Sequence, residues 1–362
     1  MNFSQIGFIG LGLIGGSIAK TIQKKYSETK IIATANRQST IDEAYSDGVI
    51  DNSVLLDIED FSECDVIFLC SPVKYNISYL KELKNIIKPT CLVTDVGSVK
   101  GDITSAAIEI GIDNQFIGGH PMAGAESTGY NNATTTLLEN AYYILTYTDK
   151  IDGSILSDFD KFISSLGAIT MTMPSQKHDF AVACISHLPH IISASLVNYV
   201  NEADDDGTLK TIAAGGFRDI TRISSSSPTM WQHICATNKD EILNAYKLYI
   251  ESLNKFVEAV ENSDEAKTFE LFTNAKNYRD NLPVKNNGLI PSAFEFYLDL
   301  EDEAGNIATV ATILAKENIS IKNIGIVHNR EFEQGVLRIE TYDDKSMRDA
   351  IEILKYKYKI YK

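Results

Sequence analysis

The sequence predicts an α/β domain, then an all-helical domain, then a small C-terminal α+β domain. Three observations carry this reading. The first strand-like run ends in Gly10-Leu11-Gly12-Leu13-Ile14-Gly15. Short apolar runs alternate with amphipathic stretches as far as Met173. Strand signals then stop from Ser175 to about Asp280 and resume at residue 292. Alternating strand and helix implies a parallel sheet covered by helices on both faces, here of the doubly wound Rossmann type.

The predicted strands of residues 1–173 are Gln5–Ile9, Lys30–Ala35, Val66–Cys70, Cys91–Asp95, Phe116–Gly118, Tyr142–Thr146 and Ile169–Met173. Helical periodicity fills the gaps, as in Gly15–Lys24 and Lys100–Ile110. Residues 174–281 read as helices: one long helix over Gln176–Val200, interrupted only by Pro189, then Leu209–Ile223, Asp240–Glu261 and Asp264–Asp280. Residues 282–291 hold two prolines, two asparagines and a glycine, the composition of a linker. Residues 292–362 read as strand Ala293–Leu300, helix Asn306–Glu317, strands Ile319–His328 and Gly335–Tyr342, helix Lys345–Lys355 and strand Tyr356–Tyr361. That βαββαβ order is a ferredoxin-like plan.

Composition bounds the function. The chain has 362 residues, 44% apolar and 23% charged, enough for two or three globular domains. A net charge of −16 repels nucleic acid and anionic lipid, so neither is an expected partner. An anionic substrate would need a local Arg or Lys. The five cysteines are odd in number and form no CxxC pair, which predicts reduced core thiols. The N-terminus lacks a basic segment followed by a long apolar stretch, and no apolar run approaches the ~20 residues of a membrane span. A cytoplasmic protein is expected.

The glycine loop directly follows a strand and precedes a helix. Gly10 permits the tight turn, Gly12 lets backbone approach a pyrophosphate, and Gly15 lets the helix pack on the strand. Leu13 and Ile14 open the helix whose amides and dipole attract the anion. A carboxylate commonly ends the second strand to hold ribose hydroxyls. Here Ala35-Asn36-Arg37 stands instead. Arg37 is placed to pair with a 2′-phosphate, or to stack on adenine while Asn36 takes the hydroxyls, so both NAD and NADP stay open.

Ligands of open α/β sheets bind beyond the carboxyl ends of the strands. Three strand ends here are polar: Cys70-Ser71-Pro72, Asp95-Val96-Gly97-Ser98-Val99-Lys100, and Gly118-Gly119-His120-Pro121 running on to Glu126. Ser71, Pro72 and Asp95 are candidates for the nicotinamide end of the cofactor. His120, between two glycines and a proline, reads as a ring held in a constrained turn. Such an imidazole suits taking a proton from a hydroxyl as hydride leaves the same carbon. Ser98 is placed to hydrogen-bond that hydroxyl. Glu126 either touches or gates the substrate, or satisfies loop backbone.

In the helical domain, His187 and His190 lie three residues apart on one helix face. With no carboxylate motif or third ligand by spacing, they read as cleft-lining residues rather than metal ligands. His178 reads as a surface residue. Gly215-Gly216-Phe217-Arg218-Asp219-Ile220-Thr221-Arg222 opens a helix with Arg218 and Arg222 one turn apart, and Asp219 is spaced to orient the Arg222 guanidinium. Arginine suits bidentate binding of a carboxylate. Trp231, the one tryptophan, is expected to pack near the cleft.

These segments, in this order, resemble the prephenate dehydrogenase family over about residues 1–280. The motifs are Gly10–Ser17, Asp95–Lys100, Gly118–Glu126, Ser186–His190 and Gly215–Ile223. The C-terminal unit, with its Glu303-Ala304-Gly305-Asn306 turn, resembles an ACT domain, although Ala304-Gly305 departs from the usual Pro-Gly. The resemblance implies oxidative decarboxylation of prephenate to 4-hydroxyphenylpyruvate with NAD(P)+ as hydride acceptor. It further implies a tyrosine effector at the ACT-like domain and a homodimer. By motif, His120 accepts the hydroxyl hydrogen bond, Ser98 assists, Arg222 binds a substrate carboxylate, and His190, or failing it His187, contacts substrate.

Three rival readings stay in view. Arogenate in place of prephenate differs only in an amino for a keto group. A β-hydroxyacid dehydrogenase shares the domain plan but relies on a catalytic lysine in the helical domain, for which no motif stands out. A non-catalytic amino-acid sensor would keep the glycine loop and dispense with His120 and Arg222.

Overall fold

The computed structural model describes residues 3–124, 128–282, 294–300, 303, 305–327 and 335–361. They form two compact units, Met1–Asp280 and Asn281–Lys362.

The first unit begins with β1 (Gln5–Ile9), α1 (Leu13–Lys25), β2 (Lys30–Thr34), α2 (Gln38–Ser46), β3 (Val66–Leu69), α3 (Val73–Leu83), β4 (Leu92–Asp95) and α4 (Gly101–Ile110). It continues with β5 (Phe116–Pro121), β6 (Tyr142–Thr146), α5 (Gly153–Ser165) and β7 (Ile169–Met173). The sheet order is β2-β1-β3-β4-β5-β6-β7. β1 pairs in parallel with β2 on one side and β3 on the other. The carboxyl end of β1 is therefore the switch point, where a crevice forms. Two apolar layers hold helices on the two faces. Ile18 and Ile22 of α1 and Phe159 and Ile163 of α5 join Phe8 and Phe68. Leu80 and Leu83 of α3 and Ile103 and Ala107 of α4 join Ile67 and Val93.

The sheet departs from the all-parallel expectation at β6, which runs antiparallel to β5 with Gly118 opposite Thr146 and Pro121 opposite Tyr143. The physical reason is the connection. Among the described residues it holds only a 3₁₀ turn at Tyr130–Asn132, whereas a parallel return needs a crossover helix. β5 also extends three residues past its predicted end. His120 consequently lies in a strand, paired with Ile144, and not in a turn.

The helical part of this unit begins with α6 (Ser175–Val182), a π turn (Ala183–His187) and α7 (Leu188–Glu202). These form one continuous 28-residue helix that Pro189 does not interrupt. Pro189 stands in the first turn of α7, directly after the wide π turn, where its missing N–H costs least. Contrary to the expectation of no long apolar run, this helix is long and apolar enough to cross a membrane by length and composition. It nevertheless carries buried His178, Asp179 and His187, all with hydrogen-bond partners.

The predicted helix Leu209–Ile223 is broken into α8 (Thr208–Ile212), α9 (Gly215–Thr221) and a 3₁₀ turn (Arg222–Ser225). α10 (Pro228–Thr237) follows, unforeseen but well signalled, since Ser227 accepts the Met230 N–H and Pro228 occupies the first turn. α11 (Lys239–Glu261) and α12 (Glu265–Asp280) complete the unit.

The second unit is β8 (Phe294–Leu300), α13 (Asn306–Lys316), β9 (Ile321–Val327), β10 (Gly335–Thr341), α14 (Asp344–Leu354) and β11 (Ile360–Tyr361). Its antiparallel sheet has the order β11-β8-β10-β9. Alternation along β8 buries Phe296, Leu298 and Leu300 against Val310, Leu314 and Leu354 of the two helices. The linker reading of 282–291 falls, from residue 283 on, outside the described residues, as do Ala304 and His328.

Candidate active site

The glycine loop has the shape its sequence requires. Gly10 has φ +98°, and a Cβ on it would lie 2.7 Å from Ser71 Oγ. A Cβ on Gly15 would lie 2.6 Å from the Gly10 carbonyl oxygen, so α1 packs directly on the loop. Gly12 differs: it caps α1, and a Cβ there would meet nothing within 4 Å. Open space therefore faces the first amides of α1, at Leu13 and Ile14, and no acidic residue stands in that turn. A pyrophosphate fits this seat. Asn36 and Arg37 are exposed just beyond β2. Ser71 and Pro72 at the end of β3, with Gly97 and Ser98 after β4, line a cavity of 700 Å³ closed by Met230, His233 and Ile234 of α10.

Asp95, expected at the cofactor, is instead fully buried and its carboxylate is occupied. It forms an ion pair with the equally buried Lys100 Nζ and accepts the N–H groups of Gly97 and Gly119. Lys100 Nζ also donates to the Gly119 carbonyl at 2.7 Å. Burial pulls the Lys100 ammonium below its usual range, and Asp95 opposes that pull. The two glycines before His120 serve this packing. A Cβ on Gly119 would lie 2.5 Å from the Asp95 carbonyl and 2.8 Å from the Tyr143 hydroxyl, and one on Gly118 would collide with Thr146 Oγ1.

His178 overturns the surface reading. It is 1% exposed and its Nε2 lies 2.8 Å from Nδ1 of His120. Its own Nδ1 lies 2.7 Å from Asp179 Oδ1. Asp179 in turn accepts the backbone N–H groups of Lys100 at 2.8 Å and Gly101 at 2.6 Å, the entrance to α4. Burial first, and after it the nearby basic side chains of His178, Lys100 and His187, hold the His120 imidazole well below the usual histidine range. It is therefore neutral at pH 7, with Nε2 free of protein partners among the described residues.

His187 and His190 have different surroundings. His187 is buried, lies 3.1 Å from Asn238 Nδ2 through its Nδ1, and is pushed down to about 4 chiefly by burial. His190 is half-buried and stacks on Trp231, with ring centroids 4.0 Å apart and planes at 30°. Trp231 also meets His187 edge-on at 6.0 Å. Arg222 is exposed, and its charge acts on His190, whose ring is also hydrogen-bonded to the backbone of Ile223. Ring contacts join His187, Trp231 and His190, and the Arg222 charge acts on His190. Asp219 forms no ion pair with Arg222 among the described residues. The helix changes to 3₁₀ between them, which alters the expected register, and Arg218 and Asp219 are both exposed. Glu126 lies outside the described residues. Among those described, no group of three His, Cys, Asp or Glu side chains is placed to hold a metal ion, and all five cysteines are free.

Comparison with known proteins agrees with this layout. The nucleotide-binding domain of prephenate dehydrogenase matches residues 18–172, and the prephenate dehydrogenase dimerization domain matches residues 174–274. A prephenate dehydrogenase of Bacillus subtilis is 39% identical over 94% of this chain and 93% of its own length. The chain belongs to the prephenate dehydrogenase family. Another family member, from Lactococcus lactis, is 31% identical over 97% of both chains. Among solved structures, prephenate dehydrogenase from A. aeolicus in complex with hydroxyphenyl propionate and NAD+ is similar with a TM-score of 0.71 and 31% identity, over 77% of this chain and 98% of that one. Synechocystis arogenate dehydrogenase is similar with a TM-score of 0.70 and 31% identity, over 76% and 99%.

Proposed function

We propose that this chain oxidatively decarboxylates prephenate to 4-hydroxyphenylpyruvate in tyrosine biosynthesis. The observation that carries the reading is His120: neutral, with one ring nitrogen open, at the sheet edge that also bears the dinucleotide loop. Gly10, Gly12, Gly15, Leu13 and Ile14 would hold the pyrophosphate, Asn36 and Arg37 the adenosine end, and Ser71 and Pro72 the nicotinamide side. The dinucleotide so held, NAD or NADP, would supply the hydride acceptor for the ring carbon that bears the hydroxyl.

The chain's own residues handle the proton and the carboxylates. His120 Nε2 takes the hydroxyl hydrogen as the ring carbon is oxidised, and Ser98 positions the same oxygen. The C–C bond to the ring carboxylate breaks, CO2 leaves, and its electron pair aromatises the ring. The phenolate oxygen then recovers the proton from His120. One hydride and one CO2 leave the substrate, and no net proton is released. Arg222 holds a substrate carboxylate by paired hydrogen bonds, with His190 beside it. His187, Arg218 and Asp219 hold lesser roles: His187 is committed to Asn238, and neither of the other two acts on His190 as Arg222 does.

Purified protein mixed with NAD+ or NADP+ and prephenate should generate reduced nicotinamide. Production only with arogenate would move the reading to arogenate dehydrogenase, which the Synechocystis likeness keeps in view. No reduced nicotinamide with either substrate overturns the reading.

Two further parts belong to it. The helical region forms a homodimer, supported by exposed Ile212, Val260, Phe269 and Phe272 on a domain whose buried core is small. The C-terminal unit is an ACT domain of ferredoxin-like plan that binds tyrosine, supported by its βαββαβ order and antiparallel sheet. Inhibition by tyrosine that survives deletion of 292–362 would place the effector elsewhere. The setting is the cytoplasm.

A further inference from the structure

We propose that His178 and Asp179 are positioning residues that lock His120 in the tautomer with its proton on Nδ1 and its lone pair on Nε2. The inference rests on the assignment of His120 as the base.

The logic follows the contacts outward. Asp179 accepts at every contact of its carboxylate: from the Lys100 N–H, the Gly101 N–H and His178 Nδ1. An acceptor at Nδ1 puts the His178 proton there and leaves a lone pair on its Nε2. That lone pair lies 2.8 Å from His120 Nδ1, so His120 must donate, and its own lone pair falls on Nε2. A fixed partner on one ring nitrogen sets the chemistry of the other. The opposite tautomer would set two lone pairs against each other within hydrogen-bond distance.

The dyad is itself held rigidly. Its carboxylate is anchored at the N-terminus of α4, where backbone amides are otherwise unpaired. The Asp179 carbonyl accepts Asn238 Nδ2 at 2.9 Å, tying the dyad to the turn between α10 and α11. His178 and Asp179 are 1% and 4% exposed, so water does not compete for these contacts. When His120 takes a proton, its Nδ1–H already points at His178, and the Asp179 carboxylate lies one ring further on. The arrangement stabilises the transient imidazolium without moving a heavy atom.

The test has two independent arms. Long-range nitrogen–proton NMR correlations of the full chain, labelled only at its six histidines, report tautomers without any turnover. His120→Asn assigns the His120 signals. The expected result is a protonated Nδ1 and a bare Nε2 on His120; a proton on Nε2 overturns the proposal. In the kinetic arm, His178→Phe removes the acceptor and should lower kcat about 100-fold with KM little changed. His178→Gln restores an acceptor oxygen and should recover most of that loss. Wild-type kcat in His178→Phe, or equal losses in both variants, overturns the proposal. If His178→Phe does not fold, the wild-type spectrum and the kcat of His178→Gln decide. If the wild type turns over neither substrate, the functional reading fails while the spectrum still decides the tautomer.

Discussion

Lys100 Nζ lies 2.7 Å from the carbonyl oxygen of Gly119, while the Lys100 backbone N–H lies 2.8 Å from Asp179 Oδ1. One residue therefore grips the strand that carries His120 and the carboxylate that orients His120 from the other side. Replacing it with methionine leaves Asp95 buried without its cation. Breaking one partner of a buried pair costs about 3–5 kcal/mol. Lys100→Met should lower the denaturation midpoint accordingly, measured with bound dinucleotide to keep the fold intact. A midpoint equal to wild type would show that the Lys100–Asp95 pair adds nothing measurable to stability.

The pH profile should report the environment of His120. Burial first, and neighbouring positive charge second, disfavour its protonated form, so the active neutral base persists as pH falls through the ordinary histidine value near 6.5. The acid limb of kcat/KM should therefore lie clearly below 6.5. A half-point at or above 6.5 would show that the ring titrates as an exposed histidine. Stability should behave differently. His187 is pushed down to about 4, so the unfolded chain binds its proton first. The stability contributed is present above pH 6.5 and is lost as pH falls from 6.5 towards 4. Thermal melts across that range check the sign.

Two glycines of the loop should fail in different ways. Gly12→Ala adds a methyl to open space, so the protein should melt like wild type while its affinity for dinucleotide falls roughly tenfold or more. Gly15→Ala drives a methyl against the Gly10 carbonyl and should cost about 1–3 kcal/mol of stability. Melting curves and dinucleotide titrations on both variants separate the two effects. Reversed outcomes would exchange the assigned roles.

Arg222→Ala should raise KM for substrate roughly 10- to 100-fold, the loss of charge-assisted hydrogen bonds to a carboxylate. Steady-state kinetics with saturating dinucleotide measure this. An unchanged KM would remove Arg222 from the site.

Much of the fold was legible because its strands are short, apolar and bounded by polar turns. Six of the first seven predicted strands end within one residue of the observed ones, and β5 is the exception. It runs on because Gly118 and Gly119 admit neighbours that any side chain would exclude, and glycine pairs read by themselves as a turn. The helix break at Ala213 and Ala214 was missed over Leu209–Ile223, although Gly215-Gly216, read as opening a helix, marks where the second piece begins. His178 was misjudged for a different reason. A Lys-His-Asp triplet looks solvated, and its burial follows only from β7 delivering it to the strand edge beside His120. That position, immediately after the last strand of the sheet, was the available signal. Asp95 was likewise placed correctly along the chain but faces inward, a direction that strand position alone does not reveal.

The π turn at Ala183–His187 has a geometric consequence. His178 and His187 are nine residues apart, roughly two and a half turns of regular α-helix, which would point them to opposite sides. The wider turn under-rotates the chain, so one imidazole meets the Rossmann sheet while the other reaches Asn238 and Trp231. Trimming a single residue from that bulge would swing all of α7 by about 100°. The span would remain helical, yet His190 would part from its indole neighbour, so its angular phasing matters as much as its composition.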